Sequence, residues 1–411
     1  MRVLVNAYAC SPNMGSEPGM AWNWCVNLAN YCELFIITEG EFKDKIEAVI
    51  PTLPQGTNMH FYYNPVSGRI RKMCWNQGDW RFYYYYRLWQ KKTLAIAEDI
   101  CRQFNIDIIH QLNMIGFREP GYLWKISGVP FVWGPIGGLK LFPTNYLEGA
   151  DWKMRLFNYV KNHLNILQLR YGSRVNKAIK HASLLISSIP DSYHALKKYK
   201  NVESVIIPET GCHVLQGVPC VSNEIHDEVM RLLWVGKFDF RKQLDIALKT
   251  IASLKPLEHL QLVVCGTGSK EQVNYYHLLA DKLGIAGKIE WRGQLDHSMI
   301  NEEMKKADLF FFTSVSEDTS TVVMEAISNC LPVLCHDACG FGYVVNGNVG
   351  LKIPLSSPQQ SVKDFASQIE KVYHHRQLLR ELAENCVSRQ KELSWDKKSE
   401  QVYNMYKQLL Q

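Results

Sequence analysis

Two glutamates in the second half of the sequence, Glu317 and Glu325, lie eight residues apart. The spacing alone is uninformative, because Glu33 and Glu41 have the same separation. The context says more: DLFFFTS predicts a buried strand before Glu317, and small polar residues then open a helix that carries Glu325. Carboxylates accept hydrogen bonds from vicinal hydroxyls, and the free N–H groups of a helix start attract an anion. The pattern predicts a site for a sugar, a diphosphate and a ribose in a row, with anion contacts around Thr319, Ser320 and Thr321.

A glycine-containing loop, SPNMGSEPG, follows the first predicted strand and opens a helix. Gly15 and Gly19 permit close backbone approach, so the N–H groups around Ser16 can face an anion. The loop matches neither the dinucleotide fingerprint nor the P-loop pattern. The alternative interpretation is a plain turn between a strand and a helix.

A second loop, VGKFDFRK, also follows a predicted strand and holds three cations, Lys237, Arg241 and Lys242, after Gly236. Lys237 and Lys242 can converge on a phosphate as paired point charges, with Arg241 beside them. The alternative is that all three are simply solvated. The next loop, CGTGSKE, contains Gly266 but lacks the third glycine of a dinucleotide site, so it predicts a turn lining a cleft.

The loops can meet only if the strands before them end side by side. Along the chain, apolar runs typical of strands alternate with helical patterns such as 271–284 and 361–393. The pattern predicts two doubly wound α/β domains with parallel sheets, whose ligands bind beyond the carboxyl ends of the strands. A segment without periodicity, 211–224, predicts the boundary. Strands are predicted at 3–9, 34–38, 60–64, 107–112, 130–134, 183–187, 204–208, 231–236, 260–266, 288–293, 308–314 and 332–337.

Composition limits the class of protein. With 411 residues the chain is too long for one core. Its 12 cysteines are scattered without zinc-site spacing, which argues against a structural metal and favours a reducing cytoplasm. The N-terminal run predicts a strand rather than a signal peptide, and no apolar run approaches the roughly 20 residues that span a bilayer.

Charge is divided unevenly along the chain. Residues 1–200 hold 24 Lys and Arg against 14 Asp and Glu, whereas residues 201–411 hold 22 against 26. The excess lies in two aromatic-rich stretches, 69–92 and 151–181, each with seven basic residues and one acidic residue. Basic amphipathic helices of this kind suit an anionic membrane surface, although ordinary helices with solvated charges are the alternative. Stacking of single-stranded nucleic acid is the less favoured use, and we expect no nucleic-acid partner.

Taken together, the segments resemble glycosyltransferase family 4, the group 1 glycosyltransferases of the GT-B fold. The matching motifs occur in the family's order, namely ACSPNMGSEPG, VGKFDFRKQ, CGTGS, IEWRGQL and SEDTSTVVMEAISNCLPVL. The resemblance covers most of the chain. It implies two Rossmann-like domains facing across a cleft: an acceptor-binding domain at 1–210, a donor-binding domain at 211–392, and a C-terminal helix, 393–411, that returns to the first domain.

The resemblance also implies roles for residues. Lys237, where the family usually has Arg, and Lys242 would neutralise the departing diphosphate. Glu317 would hold hydroxyls of the donor sugar, and Glu325 those of the ribose. His110 matches the first histidine of a family H-x-H pattern whose second histidine, usually the active-site one, is absent here. His110 or Asn113 can substitute as the catalytic residue, while a buried core histidine is the default interpretation of His110. The other implied donor contacts are Gly15, Ser16, Gly19, Gly236, Arg241, Gly266, Thr319, Ser320 and Thr321, and the acceptor-side residues are Asn113 and Arg118.

The function implied is transfer of a hexose-type sugar, with retention, from a UDP- or GDP-linked donor to a glycan or polyprenyl-linked acceptor in cell-surface polysaccharide synthesis. Neither a cofactor nor a metal is expected, and we expect a cytoplasmic protein that can lie on the inner face of the membrane. The alternatives are a nucleotide-sugar epimerase of the same fold and a non-catalytic sugar-nucleotide or glycan-binding protein. One departure is Asp318, which replaces a family glycine and puts an acidic side chain near the diphosphate.

Overall fold

The computed structural model of the protein describes residues 1–76, 79–214 and 229–411, which form two compact units. Unit 1 consists of Met1–Leu139, Leu164–Glu209 and Trp395–Gln411, and unit 2 of Lys140–His163 and Thr210–Ser394. Of the predicted boundary segment, 211–224, only the first four residues are described, and the rest lies outside the described residues. The chain therefore passes into unit 2 early, at Lys140, before it completes the sheet of unit 1.

The sheet of unit 1 has seven strands that pair in parallel. They are β1 (Arg2–Ala7), β2 (Glu33–Thr38), β3 (Met59–Tyr63), β4 (Ile108–Asn113), β5 (Phe131–Ile136), β6 (Ala182–Ser187) and β7 (Val205–Ile206). Their order, β3-β2-β1-β4-β5-β6-β7, is that of a doubly wound sheet. All seven predicted strands are confirmed, and the last of them, at one edge of the sheet, is only two residues long.

The sheet of unit 2 has six parallel strands. They are β8 (Met230–Val235), β9 (Leu260–Cys265), β10 (Ile289–Gly293), β11 (Leu309–Phe312), β12 (Val333–His336) and β13 (Gly350–Ile353). Their order is β10-β9-β8-β11-β12-β13. The sequence does not predict β13, since this edge strand is short and half-buried and includes Lys352.

Fifteen helices in the described part of the chain cover the sheets. They are α1 (Ser16–Leu28), α2 (Lys43–Val49), α3 (Gly68–Trp75), α4 (Arg81–Gln103), α5 (Trp152–Tyr171), α6 (Ser173–His181), α7 (Pro190–Lys200), α8 (Leu244–Ser253), α9 (Lys270–Lys282), α10 (His297–Lys306), α11 (Thr321–Ser328), α12 (Cys339–Val344), α13 (Pro358–His374), α14 (Arg376–Glu392) and α15 (Trp395–Leu409). The helical stretch predicted at 361–393 is two helices, because the backbone at His375 leaves helical geometry. None of the described helices has the length and apolar character needed to cross a bilayer.

The last helix, α15, is part of the core of unit 1. Trp395 packs edge-on against Trp24 of α1 with ring centroids 5.9 Å apart, and the indole of Trp24 donates to the carbonyl of Glu209 at 2.9 Å. Val402 and Tyr406 are completely buried in the same apolar cluster. The final segment of the chain therefore packs in the core of unit 1 and not in that of unit 2.

We expect Trp395→Ala to lower the free energy of unfolding by about 3–5 kcal/mol, because it leaves a cavity between α15 and α1. Urea denaturation followed by circular dichroism measures the change. Trp80→Ala is the matched control, because Trp80 is 77% exposed and its loss should change the stability by less than about 0.5 kcal/mol. Equal losses in the two variants would contradict the role given to α15.

Candidate nucleotide-sugar site

The main candidate site lies at the carboxyl ends of two neighbouring strands of unit 2. β8 and β11 pair in parallel, with Leu232 opposite Leu309 and Leu233 opposite Phe310. The loop with the predicted cations follows β8, and the loop with Glu317 follows β11. Because parallel neighbours end at the same edge, the two loops meet although they are far apart in the sequence.

The centre of the site is an ion pair between Lys242 Nζ and Glu317 Oε1. Each of the two side chains is only 11% exposed. The hydroxyl of Ser314 donates to the same carboxylate oxygen at 2.9 Å, and the Lys242 ammonium lies 4.9 Å from the ring centroid of Phe312. Lys242 and Glu317, which the sequence placed in one site, are thus in direct contact.

Backbone hydrogen bonds tie the two loops to each other. The N–H of Val315 donates to the carbonyl of Arg241 at 3.0 Å, and Thr313 Oγ1 donates to the carbonyl of Lys242 at 2.7 Å. Gln243 then takes a left-handed conformation, which ends the turn and starts α8. The ion pair is held by main-chain geometry as well as by charge.

Two of the predicted glycines are sites of close approach. A Cβ on Gly266 would lie 1.8 Å from the carbonyl oxygen of Gly236, so a side chain there would force the β8 and β9 loops apart. A Cβ on Gly236 would lie 3.3 Å from Cδ and Cε of Lys242, so the lysine chain runs across this glycine. Lys237, by contrast, is exposed beside the loop.

The charges of the site shift the pKa values of its members. Burial by itself raises the pKa of Glu317, but the positive charges of Lys242 and Arg241 outweigh it and lower the pKa below its ordinary value. Arg241 is desolvated too, yet Glu317 and Asp239 raise its pKa, and its Nε donates to Asp239 Oδ2 at 2.9 Å. The Glu317 carboxylate and the Arg241 guanidinium are therefore both ionised at neutral pH.

Asp318, the departure from the family pattern, faces a cation from elsewhere in the chain. Its Oδ1 lies 3.4 Å from Nζ of Lys140, and the two side chains are 23% and 16% exposed. Lys140 is not predicted from the sequence, because nothing in the local pattern around that residue marks it. The ion pair depends on the excursion of residues 140–163 into unit 2.

The predicted helix after Glu317 is α11, and Ser320 is its N-cap. The Ser320 side chain makes no capping hydrogen bond, so it does not occupy the first N–H groups of the helix. Thr319 and Ser320 are buried, whereas Thr321 is exposed. The anion contacts that the sequence predicts around Thr319, Ser320 and Thr321 stay a prediction.

Glu325 lies one turn into α11, and its Oε1 is 3.0 Å from Nε2 of His297 at the start of α10. Its side chain is 24% exposed, so this carboxylate is also open to solvent. His213 lies close enough for the charge of Glu325 to raise its pKa, but burial prevails and lowers it. The two histidines are neighbours that the sequence pattern did not indicate.

The N-terminal glycine loop belongs to unit 1 and begins α1 as predicted. Ser16 has a left-handed conformation with φ of 56°, and a Cβ on Gly19 would lie 1.7 Å from the carbonyl oxygen of Met14. Asn113, at the end of β4, donates from Nδ2 to the carbonyl of Ala9 at 2.8 Å, and its buried Oδ1 accepts no hydrogen bond. The structure therefore brings Asn113 to the stem of this loop, and the acceptor-side role predicted for it stays a prediction.

Arg118 is also in unit 1 and is held by α5. Its guanidinium donates to Asn165 Oδ1 and, at 2.5 Å, to Gln168 Oε1, and it lies 4.8 Å from the ring centroid of Phe117. Desolvation lowers its pKa. Both partners are neutral amides, so they do not offset the positive charge of Arg118. The acceptor-side role of Arg118 stays a prediction.

His110 does not have the surroundings of a catalytic residue. It is completely buried in β4; Nε2 donates to the carbonyl of Gly134 at 2.7 Å, and Nδ1 accepts from the hydroxyl of Tyr406 at 2.5 Å. Both ring nitrogens are used inside the core of unit 1, where burial lowers the pKa to about 4. The geometry corrects the expectation of a catalytic role and supports the alternative of a core histidine, because no ring atom is left for a substrate.

Comparison with solved structures supports the architecture. A glycosyltransferase from Rickettsia africae is 15% identical with a TM-score of 0.64, over 100% of this chain and 98% of that one. HepE from Anabaena, solved in complex with UDP-glucose, is 14% identical with a TM-score of 0.60, over 99% of this chain and 100% of that one. At such identities the likeness shows the fold alone, which is the GT-B fold with two Rossmann-like domains.

Sequence comparison finds a similarity to one family in the second half of the chain. Residues 221–392, of which the first eight lie outside the described residues, match the model of the glycosyl transferases group 1. Through this segment, which is less than half of the chain, the protein is similar to the group 1 glycosyl transferases. The lipopolysaccharide glucosyltransferase WaaG of Escherichia coli is 33% identical over 143 residues, which are 33% of this chain and 37% of WaaG. The chain thus matches less than half the length of this curated relative.

We expect the free energy of unfolding to fall as the pH decreases from about 6.5 to about 4, partly because of His110. In this range the unfolded chain binds a proton on His110 and the folded protein does not, so acid favours unfolding. His110→Gln should remove up to roughly 3 kcal/mol of that fall. Urea denaturation at several pH values measures it, with exposed His163→Gln as the control. An unchanged pH slope in His110→Gln would contradict this environment.

Proposed function

We propose that this protein is a retaining glycosyltransferase of family 4 that moves a hexose-type sugar from a nucleoside diphosphate to a glycan or lipid-linked acceptor. The observation that carries the proposal is the Lys242–Glu317 pair at the edge where β8 and β11 end. It combines a cation for a phosphate with a carboxylate for sugar hydroxyls. The UDP-glucose complex of HepE, a protein of the same fold, supports a UDP-linked sugar as the donor.

The chemistry we propose rests on stabilisation of the leaving group. The bond between the anomeric carbon and the diphosphate oxygen breaks as an acceptor hydroxyl attacks the same face, and the hydroxyl proton passes to the departing phosphate. Lys242, Arg241 and Lys237 offset the negative charge that develops on that phosphate. These fixed cations can do so without a metal ion, so we propose that the reaction needs none.

The surroundings of Glu317 support a binding role over a nucleophilic one. Its Oε1 is shared by Lys242 and Ser314, and its lowered pKa keeps it ionised. An anion held in this way accepts hydrogen bonds from sugar hydroxyls. Glu325, partly open and next to His297, is in turn the candidate for the ribose hydroxyls.

We expect wild-type protein to bind one of the UDP-, GDP- or ADP-sugars and to release the free nucleoside diphosphate, with EDTA leaving the rate unchanged. Glu317→Ala should lower the rate of release by about 10²-fold, since it removes a contact to the reacting sugar. Calorimetry measures binding, and chromatography measures product. Glu384→Ala, at an exposed glutamate of α14, is the control and should keep the wild-type rate.

The same assay separates the alternatives. Binding without release in either protein would identify a sugar-nucleotide-binding protein, and conversion of the donor into its epimer would identify an epimerase. No binding of any donor would reject the proposal.

We also propose that the acceptor is presented at an anionic membrane, on the cytoplasmic face, and that α5 touches it. The two basic stretches differ in the structure, where they form α3 to α6. Much of the aromatic face of α4 packs in the core of unit 1, as Phe82, Tyr86 and Trp89 are buried. The core interpretation therefore explains that part of the first stretch.

Helix α5 has the opposite arrangement. Its buried side chains include three asparagines, Asn158, Asn162 and Asn165. Its apolar face is exposed and consists of Trp152, Leu156, Phe157, Val160, Leu164 and Leu167, which are 68%, 55%, 63%, 47%, 46% and 49% exposed. This exposed apolar face of α5 is the inverse of an ordinary surface helix.

The charges of α5 favour an anionic lipid surface as the partner. The helix contains four basic residues and no acidic one, the basic residues being Lys153, Arg155, Lys161 and Arg170. Each basic residue near an anionic bilayer contributes about 1 kcal/mol of attraction, and the apolar face adds burial in the interface. A basic, tryptophan-bearing helix that exposes its apolar face is typical of interfacial helices.

We expect the protein to float with vesicles of phosphatidylglycerol and phosphatidylcholine at low salt, and Leu156→Glu to abolish flotation. The added charge would oppose insertion of the apolar face. Leu278→Glu, on an exposed leucine of α9 that is 67% exposed, is the matched control and should float like wild type. No flotation of wild type, or concentration-dependent dimers that Leu156→Glu abolishes, would reject the membrane in favour of another partner.

A further inference from the structure

A segment between β5 and α5, residues 140–148, is built into unit 2, and we call it the strap. Tyr146 is completely buried in the core of unit 2, and its hydroxyl lies 2.6 Å from Ser361 Oγ. Asn145 Nδ2 donates to the carbonyl of Ser356 at 3.2 Å, and Gln359 Nε2 donates to Glu148 at 2.6 Å. The strap is therefore anchored along its length and can hold a side chain in a defined place.

The strap begins at the candidate site. Lys140 makes its ion pair with Asp318, and the ring of Phe142 stacks on that of Phe240 with centroids 6.3 Å apart. Phe240 directly precedes Arg241, and Asp318 directly follows Glu317. The strap thus contacts both of the loops that carry the Lys242–Glu317 pair.

The position of Asp318 poses an electrostatic problem for an anionic ligand. It lies between Glu317 and Ser320, the N-cap of α11, where the proposed function puts a diphosphate. The repulsion between a partly buried carboxylate and a phosphate is weakly screened. Since Asp318 also contributes to the field that raises the pKa of Arg241, its charge is felt within the site.

We propose that Lys140 is the counter-ion that allows a site containing Asp318 to bind a nucleoside diphosphate. Lys140 neutralises Asp318 and holds its carboxylate on the strap, so that Lys242 and Arg241 remain available to the phosphates. Lys140 is a positioning residue, because it acts through Asp318. This inference rests on the proposed function and adds to it the positive charge of Lys140, which lies in the chain connection between β5 and β6.

The proposal predicts a specific coupling between two substitutions. Lys140→Met should weaken the binding of UDP or GDP, whichever the wild type binds, by about tenfold, because Asp318 then loses the positive charge of Lys140. Asp318→Asn should bind at least as tightly as wild type. The double variant should bind within about twofold of Asp318→Asn, since there is no longer a carboxylate to neutralise. Isothermal titration calorimetry with the free nucleoside diphosphate measures all four proteins.

Two further variants separate charge from anchoring. Asn145→Ala removes a hydrogen bond of the strap without changing the charge of the site and should leave the affinity unchanged. Lys140→Arg keeps the cation and should retain most of the wild-type affinity. The melting temperature of each variant verifies that it is folded, and the loss in Lys140→Met should shrink at high salt.

The outcomes are distinct. If wild type binds neither UDP nor GDP nor ADP, the proposed function fails, and this inference fails with it. If wild type binds and the double variant is as weak as Lys140→Met, Lys140 acts directly or structurally, and only this inference is overturned. It is also overturned if Asn145→Ala weakens binding as much as Lys140→Met does.

Discussion

The ion pair of Lys242 and Glu317 is the interaction on which the candidate site depends. Both side chains are nearly buried, and removing one partner of such a pair typically costs about 3–5 kcal/mol, because the other charge is left unpaired. The pair lies at the edge of the sheet where β8 and β11 end together. Gly236 lies under the lysine chain, and Ser314 donates to the carboxylate, so the surrounding loops are shaped around the pair.

A buried network connects this pair to the strap. His336 Nδ1 donates to the carbonyl of Ser314 at 3.2 Å, and its Nε2 lies 3.1 Å from Ser361 Oγ, which also contacts Tyr146. Burial lowers the pKa of His336 to about 4, so the ring is neutral at neutral pH and keeps one donor and one acceptor. The strap therefore reaches Glu317 by two routes, through Lys140 and Asp318 on one side and through His336 and Ser314 on the other.

The two basic stretches show how little composition says about packing. Both have seven basic residues, one acidic residue and many apolar ones. Yet α4 buries Phe82, Tyr86 and Trp89. Helix α5 instead exposes its apolar face and buries asparagines, of which Asn162 forms hydrogen bonds with both the N–H and the carbonyl of Phe142. Which face of a helix is buried is decided by the surface that the helix packs on, and for α5 that surface is polar.

The sequence by itself determined the strands, apart from the short edge strand β13, and the loops in which the candidate residues lie, because periodicity and turn glycines are local properties of a chain. It also indicated Lys242 and Glu317 as members of one site. Only the tertiary structure decided the contacts between distant residues: Asp318 with Lys140, Glu325 with His297, and His110 with Tyr406. These depend on where crossover connections and the last helix return to the sheets, and no local pattern encodes that. For the same reason the sequence left a catalytic role open for His110, and the fold makes it a core residue.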